Sequence, residues 1–146
     1  MNISTMPGHL IRRLHQLSTQ VFAAHMQADG QPLTPVQFAA LDAIRSTPGL
    51  DQASVAALIA YDRATIGGVI DRLEKKGLVA RSVSPTDRRA RLVKLTPTGA
   101  SLFERILPRV AALQDEILPG LNPDERRQFM ALAAKALRAA EQTDKD

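Results

Sequence analysis

Residues 62–81 read DRATIGGVIDRLEKKGLVAR, and the order of residue types in this stretch decides the fold. Ile66, Val69, Ile70 and Leu73 recur at i, i+3, i+4 and i+7, the spacing of one apolar helical face. Lys75 and Lys76 fall in the expected last turn, where cations favour the negative end of the helix dipole. Gly77 then offers the left-handed cap that ends many helices, and Asp62 is placed to cap the start. Gly67 and Gly68 stand in the interior, where each costs about 0.8–1 kcal/mol relative to alanine. With the apolar face turned inward, the opposite face carries Ala64, Gly68, Asp71 and Lys75, flanked by Gly67 and Arg72. Removing Cβ atoms from an outward face lets backbone approach a partner closely. That partner is either a DNA groove or a second protein helix, and the basic flanks favour DNA.

Working outward, Asp51 can cap a short preceding helix carrying Val55, Leu58 and Ile59. Ala60-Tyr61 then forms the turn into the glycine-bearing helix. After Gly77 the pattern becomes β-branched and partly alternating, from Leu78 to Val83 and from Arg91 to Leu95, with Ser84-Pro85-Thr86-Asp87 between. This is a hairpin with an arginine-rich tip. Two closely spaced helices followed by a hairpin form a winged helix–turn–helix.

The flanks are helical. Leu10, Leu14, Leu17 and Val21 predict a helix from about Pro7 to Ala28, broken by Asp29-Gly30-Gln31-Pro32. Thr34-Pro35-Val36-Gln37 is a capped start for a helix carrying Phe38, Leu41 and Ile44. Thr96-Pro97 opens a long helix with Leu102, Ile106, Val110, Leu113 and Ile117 on one face, bent or locally broken at Pro108. Asn122-Pro123 opens the last, with Phe129, Ala133, Ala136, Leu137 and Ala140 together. With aromatic residues at 3 %, the core must come from aliphatic side chains. The fold class is mainly α with a small β-hairpin: a winged lobe over residues 33–99, and a helical dimerisation region over 1–32 and 100–146 that needs a second subunit.

Charge locates the function. The chain carries a net charge of +4 over 146 residues. Residues 61–96 hold nine basic side chains against four acidic ones, so this segment contains the whole excess. Such a stripe marks either a polyanion-binding surface or an ordinary solvated face. On the glycine-bearing helix, Arg63 and Thr65 at the start and Arg72 beyond are left to make the longer contacts, arginine being suited to guanine edges. On the hairpin, Asp87, Arg88, Arg89 and Arg91 sit at or beside the tip, where an arginine can enter a minor groove. Asp87 either orients a neighbouring arginine or closes the turn through an Asx hydrogen bond.

Other classes find less support. Cysteine is absent, which excludes disulfides, thiolate metal sites and cysteine catalysis. No phosphate-binding loop, dinucleotide fingerprint, nucleophile elbow or HExxH occurs, so no enzyme and no cofactor are expected. His9, His15 and His25 lack the i, i+4 spacing of a helical metal pair, and no metal site is expected. No apolar run is long enough for a membrane span and no signal peptide is evident, which reads as cytoplasmic. A winged helix serving protein–protein or RNA contact is the remaining alternative.

LTPVQFAALDAI at 33–44, DRATIGGVIDRLEKKGLVAR at 62–81 and SPTDRRARLVKLTPTG at 84–99 together resemble the MarR-type transcription regulators. The resemblance implies a homodimer with interlocked terminal helices, binding double-stranded DNA at a pseudo-palindromic operator and usually repressing transcription. It carries major-groove contact to Arg63, Thr65, Gly68 and Arg72, and wing contact to Asp87, Arg88 and Arg89. It further implies release by a small aromatic acid or phenol. Arg12, Arg13 and His15 are the residues offered for its carboxylate, or else plain surface charges. The turn Ala60-Tyr61 departs from the family in lacking a glycine.

Overall fold

The computed structural model describes residues 2–28, 30 and 32–144. Of the expected helix breaker at 29–32, Asp29 and Gln31 lie outside the described residues. A short 3-10 turn, Ile3–Thr5, precedes α1 (Pro7–Ala28), α2 (Pro35–Ser46), α3 (Gln52–Leu58), α4 (Ile66–Lys75), β1 (Val79–Val83), β2 (Arg91–Leu95), α5 (Pro97–Ile117) and α6 (Pro123–Thr143). The chain divides into two compact units, Met1–Leu113 and Gln114–Asp146.

The helix starts form as their sequences dictate. Thr34 and Asn122 each build a full capping box, with Gln37 and Glu125 answering three residues on. Asp51 Oδ1 accepts from the Ser54 N–H at 2.7 Å, and Thr96 Oγ1 accepts from the Gly99 N–H at 3.0 Å. At α4 the structure differs from expectation. Asp62 caps a turn, accepting from Ala64 N–H, and the helix proper begins only at Ile66. Arg63 and Thr65 therefore stand in the turn leading into α4 rather than in its first turn. Helix α5 continues through Pro108, which removes one donor from the ladder without ending the helix.

Within the first unit the core is continuous. Ile66, Val69, Ile70 and Leu73 are all buried, as their spacing requires. Leu41 and Ile44 of α2, Val55 of α3, Val79, Val93 and Phe103 are buried with them. The scarce aromatics are concentrated rather than absent from this core. Phe38 lies between Phe22 and Phe103, with ring centroids 6.1 and 5.1 Å away. Arg45 covers the Phe103 ring at 4.7 Å. This stack joins α1, α2 and α5, so the aliphatic core expected from composition is incomplete.

The hairpin pairs Val79 with Leu95 through Val83 with Arg91. A bridge from Asp51 to Leu92, with Leu50 C=O accepting from Val93 N–H at 2.8 Å, adds the start of α3 to its edge. Nothing in the local pattern at 50–51 announces that pairing.

Two helix ends share one geometry. After α4, Gly77 takes φ +74°, Leu78 N–H reaches Leu73 C=O at 3.0 Å and Gly77 N–H reaches Glu74 C=O at 2.9 Å. This is the Schellman cap. After α3 the same pair of bonds runs from Tyr61 to Ala56 and from Ala60 to Ala57, but Ala60 holds φ 54°. An L-residue pays about 1–2 kcal/mol in this region. Ala60→Gly is therefore expected to stabilise the protein by about 1 kcal/mol and raise Tm by about 3 °C, read by thermal circular dichroism. An unchanged or lower Tm would mean the turn is not strained.

In the second unit, Asp115 and Arg126 pair at 3.1 Å between the end of α5 and α6. Helix α6 buries none of its residues in the single chain, and Met130, Leu132 and Leu137 are each more than 60 % exposed. Helix α1 likewise leaves Leu10 and Ile11 exposed.

Candidate nucleic-acid interface

The α3–turn–α4 unit sets one side of the interface and the hairpin tip sets the other. A cleft of about 380 Å³ lies between them, lined by Gln52, Arg63, Ile66, Asp87, Arg89 and Arg91 among others. Arg63 from the turn and Arg89 and Arg91 from the wing thus share one cleft. Arg72 and Arg88 are exposed but line no part of it.

Gly67 and Gly68 separate in role. A Cβ on Gly68 would meet nothing within 4 Å, so the fold leaves this outward position open. A Cβ on Gly67 would lie 3.3 Å from Nε2 of Gln52. Gly67 therefore also stands close to a side chain of α3. Thr65 forms no side-chain cap; its hydroxyl donates to Asp62 C=O at 3.2 Å.

The wing tip is organised by Ser84 and Asp87. Ser84 is buried and its Oγ accepts from Thr86 and Asp87 N–H groups, both at 3.3 Å. Asp87 Oδ1 accepts from Arg89 N–H at 3.0 Å and lies 3.5 Å from Arg89 Nε. The two roles foreseen for Asp87 are both filled. Arg89 itself is 94 % exposed, so this ion pair adds little to stability and leaves the guanidinium open to a partner. At the cleft floor, the Asp51 carboxyl is held below its usual range by the Ser54 N–H and hydroxyl, with Arg63 adding a smaller attraction.

Two cations counted in the basic stripe are engaged by the protein itself instead. Lys76 donates to Pro32 C=O at 2.7 Å and to Gln37 Oε1 at 3.3 Å, and burial lowers its ammonium pKa. Arg81 reaches Asp71, Glu74 and Gln52, with its side chain only 17 % exposed. The sequence shows both as charges and nothing more; only the approach of α2, α3 and β1 to α4 gives them partners.

On α1 the three residues offered for a ligand do not converge. Arg12 and His15 share a face with His9, whose Nδ1 lies 3.4 Å from Arg12 Nη2. Arg13 falls on another side of the helix. Arg12, Arg13 and His15 are all exposed. Among the described residues no group of His, Asp and Glu could hold a metal ion, and no helix is long and apolar enough to cross a membrane.

A helix–turn–helix braced by a hairpin, with arginines gathered around one cleft and an unobstructed helix face, defines a winged-helix DNA-binding protein. Comparison with known proteins agrees. The MarR family model matches residues 33–90. The chain is 34 % identical over 136 residues to the HTH-type transcriptional repressor NicR of Pseudomonas putida, covering 93 % of this chain and 85 % of that one. Bordetella bronchiseptica BpsR, solved in a study of its regulation by 6-hydroxynicotinic acid, superposes with TM-score 0.84 at 36 % identity, over 93 % of this chain and 96 % of BpsR. A mutant MarR from E. coli complexed with operator DNA gives TM-score 0.82 at 28 % identity, over 94 % and 99 %. The chain belongs to the MarR family and is a DNA-binding transcription regulator. Its relatives are regulators rather than enzymes.

Proposed function

We propose that the protein is a cytoplasmic homodimeric repressor that reads a pseudo-palindromic operator with α4 and the wing, and leaves it on binding a small aromatic acid. The open position at Gly68 carries this reading, since it lets the α4 backbone enter a groove that a side chain would obstruct. Arg63, Thr65 and Arg72 contact the major groove, and Asp87, Arg88, Arg89 and Arg91 form the wing contact. Residues 33–99 are the reading lobe, and 1–32 with 100–146 the dimer region. The apolar side chains left uncovered on α1 and α6 support the dimer. The reported regulation of BpsR by 6-hydroxynicotinic acid supports an aromatic carboxylate. Arg12, with Arg13 and His15 near it on α1, is the cation that suits it.

The test is an anisotropy titration against the duplex upstream of the protein's own gene and a scrambled duplex, across a salt series, with aromatic acids added to the bound state. Preferential binding, steep in salt and reversed by an aromatic acid, supports the whole reading. Equal weak binding to both duplexes and to none of several genomic fragments would favour a protein or RNA partner. In the same assay Arg89→Ala is expected to weaken binding and lower the log–log salt slope by about 0.9, the value for one phosphate contact. Unchanged slope and affinity would remove the wing from the mechanism.

A further inference from the structure

We propose that Arg81 is a positioning residue for DNA recognition, a guanidinium clamp that holds α3, α4 and the wing as one reading head while itself touching no phosphate. The proposal rests on the operator reading above. Arg81 lies on β1, and its two terminal nitrogens divide between two elements. Nη2 meets Asp71 and, at 3.2 Å, Glu74 Oε1, which stand one turn apart on α4. Nη1 donates to Gln52 Oε1 of α3 at 3.3 Å. The backbone N–H of Arg81 donates to the other Glu74 oxygen at 3.2 Å, so strand and side chain grip the same carboxylate.

Gln52 completes the clamp. With Oε1 engaged by Arg81, its Nε2 lies over Gly67, 3.3 Å from where a Cβ on that residue would stand. The seam between α3 and α4 is thus set by an amide held from the wing. A planar guanidinium suits this task because its donors leave in fixed directions and fix angles as well as distances. There is a second consequence. Asp71 and Glu74 are exposed carboxylates on the helix that must approach a polyanion. Arg81 masks both, and its hydrogen bonds hold the Glu74 carboxyl below its usual pKa. With 17 % of its side chain exposed, against 94 % for Arg89, Arg81 is spent on these contacts.

The experiment compares wild type, Arg81→Gln, Arg81→Lys and Arg89→Ala on a duplex enriched from a random-sequence library by the wild-type protein, and on a shuffled duplex. Thermal melts establish which variants are folded at the assay temperature. Arg81→Gln is expected to lose selectivity for the enriched duplex by about tenfold, the scale of a charged hydrogen-bond network, with its salt slope kept. Arg89→Ala instead loses about 0.9 of slope. Arg81→Lys carries the measurement if the Gln variant is unfolded, and it too should lose selectivity, since a point charge cannot span two elements. A folded Arg81 variant with wild-type selectivity would reduce the clamp to a stability role and overturn the proposal. A slope lowered by about 0.9 would make Arg81 a phosphate contact and overturn it equally. A library that yields no enriched sequence would overturn the operator reading and this proposal with it.

Discussion

Gly68→Leu is expected to leave the protein folded, and slightly more stable, while lowering operator affinity on the order of 100-fold. The two effects have separate causes. In the free protein a Cβ at position 68 meets nothing within 4 Å and the position is exposed, so a side chain there extends toward solvent rather than into packed atoms. It also removes a helix-interior glycine, which favours the folded state by up to about 1 kcal/mol. In the complex the same side chain would stand between α4 and the groove. Overpacking a close contact costs about 1–3 kcal/mol, each 1.4 kcal/mol being tenfold in affinity. Thermal melting and anisotropy on one preparation read both effects. A variant that melts at or above the wild-type temperature yet binds within threefold of wild type (about 0.6 kcal/mol) would place α4 outside the groove. A variant that melts well below wild type would mean position 68 is packed, contrary to the structure.

Gly99→Ala should do the reverse, damaging the fold directly. Gly99 is buried in the first turn of α5, and a Cβ there would sit inside the contact shell of the Leu78 carbonyl oxygen and 2.9 Å from its carbon. That carbonyl already accepts from Thr96 N–H at 3.0 Å. Thr96 Oγ1 in turn donates to Gly77 C=O at 2.6 Å and accepts from Gly99 N–H. The end of α4, the end of β2 and the start of α5 therefore meet at backbone distance, where no flexible side chain can yield. One added methyl is expected to destabilise by about 3 kcal/mol and lower Tm by about 10 °C, well beyond its helix-propensity gain. Differential scanning calorimetry decides it, and a Tm within 2 °C of wild type (less than about 1 kcal/mol) would show that the junction is looser than its geometry.

The contrast between these glycines shows where local pattern stops. Gly67 and Gly68 are adjacent and share one sequence rationale, yet one is spaced for Gln52 and the other is open. Arg81 and Arg89 carry the same charge in the same basic stripe, yet one is bound between elements and the other projects into solvent. Arg12, Arg13 and His15 are near in sequence, but helical geometry keeps only two of them on a common face.

What the sequence determined by itself was whatever depends on neighbours along the chain. The buried face of α4, the boxes at Thr34 and Asn122, the left-handed cap at Gly77, the hairpin and the Asx turn at Asp87 all follow from spacings of a few residues. Those spacings fix hydrogen bonds and apolar periodicity before any tertiary contact forms. Tertiary structure alone decided the Phe22–Phe38–Phe103 stack, the Leu50–Val93 bond, the partners of Lys76 and the clamp around Arg81. Each joins residues far apart in sequence, so each partner is chosen by how the helices pack. A side chain's type sets what it can bind; which group then comes within 3.5 Å is set by the fold.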